Sequence, residues 1–209
     1  MRIRADLAIL SDLDGTLIDS TASTVAAYLW WAELRGLSPS VLDRIPFGRT
    51  SADAAADLAP QLNAEVEGRL LDDRQAEDTV GVVALPGAAD LLGSHERLAV
   101  VTSGSRPLAE ARLRAAGLPL PAVLITPELW TRGKPDPEPI LLGAAELGAK
   151  PSGCVVLEDA PAGVQAGIAA GMPVIALLTT HRKDELPEAN RWIESIEQLP
   201  TALREMGLS

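Results

Sequence analysis

The sequence predicts an α/β fold in which a parallel sheet is covered by helices on both faces. Short apolar runs alternate with helical patterns along most of the chain, which is the order of parallel strands and their connecting helices. Residues from about 20 to 83 differ, because they contain helical patterns and no strong strand. This difference predicts an all-helical insertion after the first strand.

Five buried strands are predicted from short apolar runs that polar or turn residues bound. These runs span residues 7–10, 98–101, 123–125, 154–157 and 174–176. Three helices are predicted between and after them, each with a proline near its start and a glycine just past its end. They span residues 107–116, 139–147 and 161–170.

The insertion is predicted to contain three helices, and Pro86-Gly87 marks the return to the sheet. These helices span residues 21–34, 51–58 and 63–77. We therefore predict two domains. A sheet domain comprises residues 1–19 and 84–209, and a helical domain comprises residues 20–83.

Composition limits the classes of partner. With 209 residues, of which 47% are hydrophobic and 22% charged, the chain suits one compact domain with a modest insertion. A net charge of −11 disfavours nucleic acid and anionic lipid as partners. No apolar run approaches the roughly 20 residues of a membrane span, and the short apolar stretch near the N-terminus does not resemble a signal peptide. We expect a cytoplasmic protein.

Polar side chains follow four of the predicted strands. Because ligands bind beyond the carboxyl ends of parallel strands, we expect these side chains to converge at one edge of the sheet. They are Asp12 and Asp14 after the first strand, Thr102 after the second, Lys134 after the third, and Glu158 and Asp159 after the fourth.

These residue types suit phosphoryl chemistry. Several carboxylates favour a hard cation such as Mg²⁺, which also accepts phosphate oxygens as ligands. Lys134 and the backbone N–H groups after Asp12 and Thr102 could hold phosphoryl oxygens. Asp12 could attack phosphorus, and Asp14, brought round by a turn at Gly15, could exchange protons with the leaving group and water. The expected partner is a small phosphate ester.

Each residue alone also has an ordinary explanation. Asp-Gly is common in turns, Thr102 could cap the following helix, and Lys134 could be a solvated loop residue. The only two histidines, His95 and His181, follow no predicted strand, and we expect both at the surface. The convergence of the other residues favours a catalytic site.

The same residues resemble the four signature motifs of the haloacid dehalogenase-like hydrolase superfamily. The segment 12–17, Thr102, Lys134-Pro135 and Glu158-Asp159 occur in the family's order over essentially the whole chain. The wider segments are similar to the sugar-phosphatase branch, which includes glycerol-phosphate and 2-deoxyglucose-6-phosphate phosphatases. These segments span residues 101–105, 132–135 and 158–164.

The resemblance implies a Rossmann-like core, a helical cap and Mg²⁺-dependent hydrolysis of sugar or polyol phosphates through an aspartyl-phosphate. It implies that Asp12 is the nucleophile and a metal ligand. Asp14 would be the general acid and base, and its backbone carbonyl would bind the metal together with the carboxylate of Asp159. Glu158 is expected to support the site rather than to bind the metal directly.

Further residues would bind the phosphate and the rest of the substrate. Thr102 and Lys134 would hold the phosphate, and Lys134 would also orient the nucleophile. Substrate contacts are expected from Arg49 in the cap and from Ser103 and Gly104 beyond the second strand. The chain departs from the family at Ser11, where an aromatic residue is usual; this departure should change packing and not chemistry.

Three other functions remain open from the sequence. Sugar-phosphate mutases of the superfamily carry a histidine where this chain has Thr24, and often a valine at the position of Thr16. Dehalogenases lack the second aspartate, which is present here as Asp14. A catalytically silent protein that binds phosphorylated metabolites would be expected to lack an essential residue, and none is missing.

Overall fold

The computed structural model confirms the predicted α/β class. It describes residues 3–208; Met1, Arg2 and Ser209, which the predicted sheet domain includes, lie outside the described residues. Six strands form one sheet in the order β5-β4-β1-β6-β7-β8, and all neighbouring pairs are parallel. The strands are β1 Ala8–Ser11, β2 Ile18–Asp19, β3 Val83–Ala84, β4 Leu98–Val101, β5 Val123–Ile125, β6 Cys154–Glu158, β7 Val174–Leu177 and β8 Arg191–Ile193.

The helices cover both faces of this sheet. Successive residues of a strand point to opposite faces, so Ile9 packs with α4, α5 and α8, while Leu10 packs with α6 and α7. The helices are α1 Thr21–Arg35, α2 Ser51–Leu58, α3 Ala64–Glu77, α4 Ala88–Ser94, α5 Arg106–Ala115, α6 Glu138–Glu146, α7 Pro161–Ala169 and α8 Leu199–Glu205.

Strand β1 lies at the point where the chain's progress across the sheet reverses. Strands β4 and β5 extend the sheet on one side of β1, whereas β6, β7 and β8 extend it on the other. The register places Ser11, the last residue of β1, opposite Val100 of β4 and Leu157 of β6. A crevice for ligands forms at such a reversal, beyond the carboxyl ends of the strands.

Residues 21–77 form a separate helical segment, as predicted, with its own hydrophobic cluster. Trp31 of α1 is fully buried there and packs with residues of α2 and α3, including Leu58 and Leu71. The indole N–H of Trp31 donates a hydrogen bond of 2.7 Å to Glu67. The chain enters and leaves this segment through a two-stranded antiparallel ribbon, in which Ile18 pairs with Ala84 and Asp19 with Val83. The division into two domains with the stated boundaries stays a prediction.

Some elements were not predicted from the sequence. Strand β8 has three residues, begins with the exposed Arg191 and lies at the edge of the sheet, so it lacks an apolar run. Helices α4 and α8 have seven residues each, which is too short to show a clear helical period. Within residues 3–208, no helix combines the length and the apolar character that crossing a membrane requires.

Close packing of α6 on the sheet depends on a glycine. A methyl group at Gly143 would lie 2.7 Å from a methyl carbon of Leu10 and 3.0 Å from one of Val101. We expect Gly143→Ala to lower the free energy of unfolding by about 1–3 kcal/mol, because overpacking outweighs the better helix propensity of alanine. Chemical denaturation measures this change.

A matched glycine provides the control for this prediction. At Gly93 of α4 an added methyl group would meet no described atom within 4 Å. Gly93→Ala should therefore leave stability unchanged or raise it by up to about 1 kcal/mol. Equal effects of the two substitutions would contradict the packing explanation.

Candidate active site

The loop after β1 brings Asp12 to the crevice and turns sharply. Asp12 is buried, and its N–H donates to Leu157 O at 2.9 Å, which continues the pairing of β1 with β6. Gly15 has φ +85°, a conformation that glycine adopts without strain. A methyl group at Gly15 would also lie 2.2 Å from Asp159 Oδ2. This position therefore requires glycine both for the turn and for the approach to Asp159.

Lys134 is the cation at the centre of the site. Its ammonium group is buried and donates three hydrogen bonds, to Asp12 Oδ1 at 2.6 Å, Val101 O at 3.0 Å and Glu158 Oε1 at 2.5 Å. These acceptors stand at or just beyond the ends of β1, β4 and β6. The predicted convergence of Asp12 and Lys134, which are 122 residues apart in the chain, is present in the structure.

Both carboxylate oxygens of Glu158 accept hydrogen bonds from protein groups. One carboxylate oxygen accepts from Lys134, and the other accepts from the N–H groups of Asp159 and Ala160 at 3.0 and 3.2 Å. A methyl group at Gly163 would lie 1.7 Å from this carboxylate. These contacts agree with the expectation that Glu158 supports the site.

The charges in this cluster do not balance. Burial raises the pKa of Asp12 well above its ordinary value, although Lys134 acts in the opposite direction. Burial, reinforced by the carboxylate of Glu158, raises the pKa of Asp159 to about 7. Burial alone would lower the pKa of Lys134, but Asp12 and Glu158 outweigh it and raise that pKa. Three buried carboxylates thus share one ammonium group.

A divalent cation fits this excess of negative charge. Oxygens of Asp12, Glu158 and Asp159 lie within 4.8 Å of one another, and carboxylate oxygens are the ligands that Mg²⁺ prefers. Asp159 is oriented by hydroxyl groups, since Thr16 donates to Oδ1 at 3.1 Å and Thr180 donates to Oδ2. The donor set therefore suits a metal of this class.

Asp14 is the second carboxylate of the loop after β1 and is only partly buried. Its Oδ1 accepts a hydrogen bond of 2.7 Å from Ser20 and pairs with a guanidinium nitrogen of Arg112 at 2.8 Å. Its Oδ2 lies 3.5 Å from the hydroxyl of Thr102. The structure thus brings Asp14 and Thr102 together, beside Asp12.

The loop after β4 carries the other predicted phosphate contacts. The Gly104 N–H donates to the hydroxyl of Thr102 at 3.1 Å, which fixes the first turn beyond the strand. The hydroxyl of Ser103 donates to Gly48 O of the helical segment at 2.9 Å. Ser103 therefore joins the two parts of the chain in this arrangement.

A cavity of about 70 Å³ lies between the loops and the helical segment. Arg49 lines it, and its guanidinium group pairs with Asp57 at 2.6 Å and Asp53 at 3.5 Å, both on α2. The predicted substrate residue therefore faces the site while it is bound within the helical segment. The wall combines polar and apolar surface, and its polar lining includes Asp12, Asp14, Ser20, Thr24, Tyr28, Arg49, Ser51, Gln75, Thr102, Ser103 and Arg112.

Sequence reasoning missed several residues of the site. Thr16 and Thr180 orient Asp159, and Ser20 and Arg112 hold Asp14. One available signal was the period of α5, since Leu108, Ala109 and Leu113 define a buried face on which Arg112 also falls.

The expected surface location was wrong for His95, whereas His181 is partly exposed. His95 is buried, and its ring Nε2 lies 2.8 Å from Leu7 O. His181 is half-buried in the segment after β7, with its ring Nδ1 3.0 Å from Asp159 O. Each histidine satisfies a backbone carbonyl, a role that the local sequence does not reveal.

Comparisons with known proteins agree with the motif pattern. The family model for haloacid dehalogenase-like hydrolases matches residues 7–171. Hexitol phosphatase A of Escherichia coli K12 is 40% identical over 205 residues, and the match covers 95% of each chain. Glycerol-1-phosphate phosphohydrolase 2 of Saccharomyces cerevisiae is 34% identical over 199 residues, covering 87% of this chain and 78% of the relative.

A solved structure shows the same architecture. The crystal structure of a hydrolase from Pseudomonas syringae matches with a TM-score of 0.82 and 26% identity, covering 96% of this chain and 99% of the other. Because the family model spans most of the sequence and two named phosphatases match nearly its full length, the chain belongs to the haloacid dehalogenase-like hydrolases, as its motifs predicted.

Proposed function

We propose that this chain is a Mg²⁺-dependent phosphatase that hydrolyses sugar or polyol phosphates through an aspartyl-phosphate. The contact of 2.6 Å between Lys134 and Asp12 Oδ1 carries this proposal. It engages one oxygen of a buried carboxylate and leaves the other for attack on phosphorus. The named activities of the relatives, on hexitol and glycerol phosphates, support the substrate class.

In the first half of the reaction, Asp12 attacks phosphorus and the bond from phosphorus to the leaving oxygen breaks. Asp14 gives its proton to that oxygen, so the product leaves as an alcohol. Thr102 would hold a phosphoryl oxygen, and the positive charge of Lys134 would stabilise the phosphoryl group as its charge redistributes. The products of this half are the alcohol and phosphorylated Asp12.

In the second half, water attacks the phosphorus of the aspartyl-phosphate. Asp14, now ionised, takes a proton from that water, and the bond to the Asp12 oxygen breaks. Inorganic phosphate leaves, the Asp12 carboxylate is restored, and Asp14 is again protonated. One side chain therefore serves as the acid and then as the base.

The metal would be held by the carboxylates of Asp12 and Asp159 and the backbone carbonyl of Asp14. When bound, Mg²⁺ supplies positive charge against the phosphoryl group. Among the described residues, the cationic side chains that line the cavity are Arg49 and Arg112, and Lys134 contacts Asp12 of its wall. Carboxylates engage each of them: Asp53 and Asp57 for Arg49, Asp14 for Arg112, and Asp12 and Glu158 for Lys134. A substrate phosphate therefore needs an additional cation.

We also propose that the helical segment, residues 20–83, acts as a cap that moves during turnover. The cavity of about 70 Å³ is smaller than the roughly 300–1,000 Å³ of ligand pockets. A sugar phosphate would require the cap to shift, and closure would then expel water around the substrate. A cytoplasmic location stays a prediction.

The first prediction concerns the two aspartates after β1. Asp12→Asn removes the nucleophile and should lower phosphate release from p-nitrophenyl phosphate by more than about 10³-fold. Asp14→Asn should lower kcat for sorbitol 6-phosphate by about 10²–10⁴-fold while substrate binding is retained. Phosphate release and isothermal titration measure the two effects.

The same assay separates the alternative functions. A mutase would convert a sugar phosphate into an isomer, so stoichiometric inorganic phosphate with no isomer excludes that alternative. Activity that persists after metal chelation would favour a dehalogenase-type site. A wild type that remains inert across a panel of sugar and polyol phosphates would mean a silent binding protein.

The second prediction concerns pH and the metal. The raised pKa of Asp159, about 7 against an ordinary 3.8, means that the folded chain binds this proton more tightly than the unfolded chain. In metal-free protein this group therefore reduces the free energy of unfolding as pH rises from about 4 to about 7. Mg²⁺ binds the ionised form, so it should raise Tm more at pH 8 than at pH 6.

Thermal unfolding with and without Mg²⁺ at both pH values measures this difference. Asp159→Asn is the matched control, because it keeps the shape of the side chain and loses the titrating group. That variant should show a smaller Mg²⁺ shift at pH 8. Equal Mg²⁺ shifts at pH 6 and pH 8 in the wild type would contradict the assignment.

The third prediction concerns Arg49. A hydrogen bond from a charged group is typically a contribution of about 1.5–3 kcal/mol, so Arg49→Ala should lower kcat/KM for sorbitol 6-phosphate by about tenfold or more. Activity on p-nitrophenyl phosphate should change less, because that ester lacks the hydroxyl groups. Arg44→Ala, at an exposed position of the same segment, is the control. Wild-type kinetics of Arg49→Ala on every ester would show that Arg49 does not contact substrate.

A further inference from the structure

Arg112 is a buried cation that lies outside the four signature motifs of the sequence, and those motifs assign it no role. It lies on α5, its side chain is 5% exposed, and it reaches the cavity beside Asp14. Burying a guanidinium group is unfavourable unless its charge and its N–H groups find partners. The partner for the charge is Asp14, at 2.8 Å.

The same guanidinium group binds two helices of the cap. Its second terminal nitrogen donates to Thr24 Oγ1 of α1 at 2.9 Å and to Gln75 Oε1 of α3 at 2.7 Å. The amide of Gln75 is itself fixed, because its NH₂ group donates to Leu71 O at 3.1 Å. Arg112 therefore connects the loop after β1 to both α1 and α3.

These contacts select one oxygen of Asp14 for chemistry. Oδ1 is occupied by Ser20 and Arg112, whereas Oδ2 has, within the described part of the chain, only the longer contact of 3.5 Å from Thr102. A planar guanidinium group with both terminal nitrogens engaged fixes the carboxylate's direction more closely than a single hydroxyl can. Oδ2 is thus the oxygen positioned to exchange a proton.

A purely structural role explains these contacts less well. Buried ion pairs are weak sources of stability, and apolar residues of similar volume often replace them without loss. The Nε of Arg112 is buried and has no hydrogen-bond partner among residues 3–208, which is a further cost of keeping arginine here. The carboxylate that Arg112 pairs with directly is Asp14, at 2.8 Å.

The geometry points to Arg112 as a positioning residue that holds Asp14 for proton transfer and does so through contacts that only the docked cap completes. This role rests on the proposed function, in which Asp14 is the acid and base. When the cap moves away, Thr24 and Gln75 leave the guanidinium group, and the direction of Asp14 is no longer fixed. Proton transfer is thereby linked to the docking of the cap.

The test is a double-mutant cycle between Arg112→Gln and Asp14→Asn, with kcat and KM measured on sorbitol 6-phosphate. Arg112→Gln should lower kcat by about 10²-fold, the loss expected of a catalytic group displaced by about 1 Å, with KM little changed. In the Asp14→Asn background it should cause no further loss, because the two residues act as one unit.

Leaving-group dependence separates positioning from general damage. The p-nitrophenolate ion needs no proton to leave, so the first-turnover burst from p-nitrophenyl phosphate should be unchanged in Arg112→Gln. Arg112→Lys keeps the positive charge but lacks the planar guanidinium group with its paired N–H donors, and it should recover part of the lost kcat. Arg114→Gln changes an exposed arginine of the same helix and should behave like the wild type.

Several results would overturn this role. They are wild-type kcat in Arg112→Gln, full additivity with Asp14→Asn, or a burst that falls as much as kcat. If Arg112→Gln does not fold, the same kcat, KM and burst measurements are made on Arg112→Lys and Gln75→Leu. Full activity of Asp14→Asn would instead refute the proposed acid and base, and that outcome is distinct from failure of Arg112 alone.

Discussion

The site depends on one buried ammonium group placed between two buried carboxylates. Lys134 joins Asp12, Val101 O and Glu158, and so ties together the ends of the three central strands β1, β4 and β6. Removing one partner of such a cluster leaves an uncompensated buried charge, which is strongly unfavourable. The positions of the strand ends and the position of the Asp12 carboxylate are therefore fixed by the same contacts.

That cluster also explains how an acidic protein can accept an anion. The net charge of −11 opposes the approach of an anionic ester. Among the described residues, Arg49 and Arg112 at the cavity and the buried Lys134 beside Asp12 each already pair with carboxylates. The buried carboxylates of Asp12, Glu158 and Asp159 lie within 4.8 Å of one another and offer a place where an added cation could neutralise this charge. The acidic surface and the acidic site both support the proposed divalent metal.

Much of the fold and part of the site followed from local sequence. The buried strands are continuous apolar runs, and the residues just past them, such as Asp12 and Thr102, lie beside one another because the carboxyl ends of parallel strands share an edge. The contact between Lys134 and Asp12 was implied by the resemblance to the family, whereas the strand order β5-β4-β1-β6-β7-β8 comes from the structure. Strand β8 was not predicted, because its three-residue sequence begins with a charged residue and shows no apolar pattern.

The remaining residues reach the site through tertiary packing. Arg112 and Arg114 are two residues apart in the same helix, and only the phase of α5 turns one toward Asp14 and the other to solvent. Thr180 contacts Asp159 because β7 lies beside β6, a neighbour relation that no local pattern encodes. The contact of His181 with Asp159 O depends on the same pairing of β7 with β6.

The ribbon of β2 and β3 has a mechanical consequence. Both crossings between the sheet and the cap pass through it, and its strands pair at Ile18 with Ala84 and Asp19 with Val83. Because the two crossing strands are hydrogen-bonded to each other, they would act as one hinge. Two separate linkers would let the helical segment translate and rotate more freely. In the cap movement proposed above, rotation about this ribbon would leave its backbone hydrogen bonds intact. Each closing rotation of the cap would therefore return Thr24 and Gln75 to the same position beside Arg112.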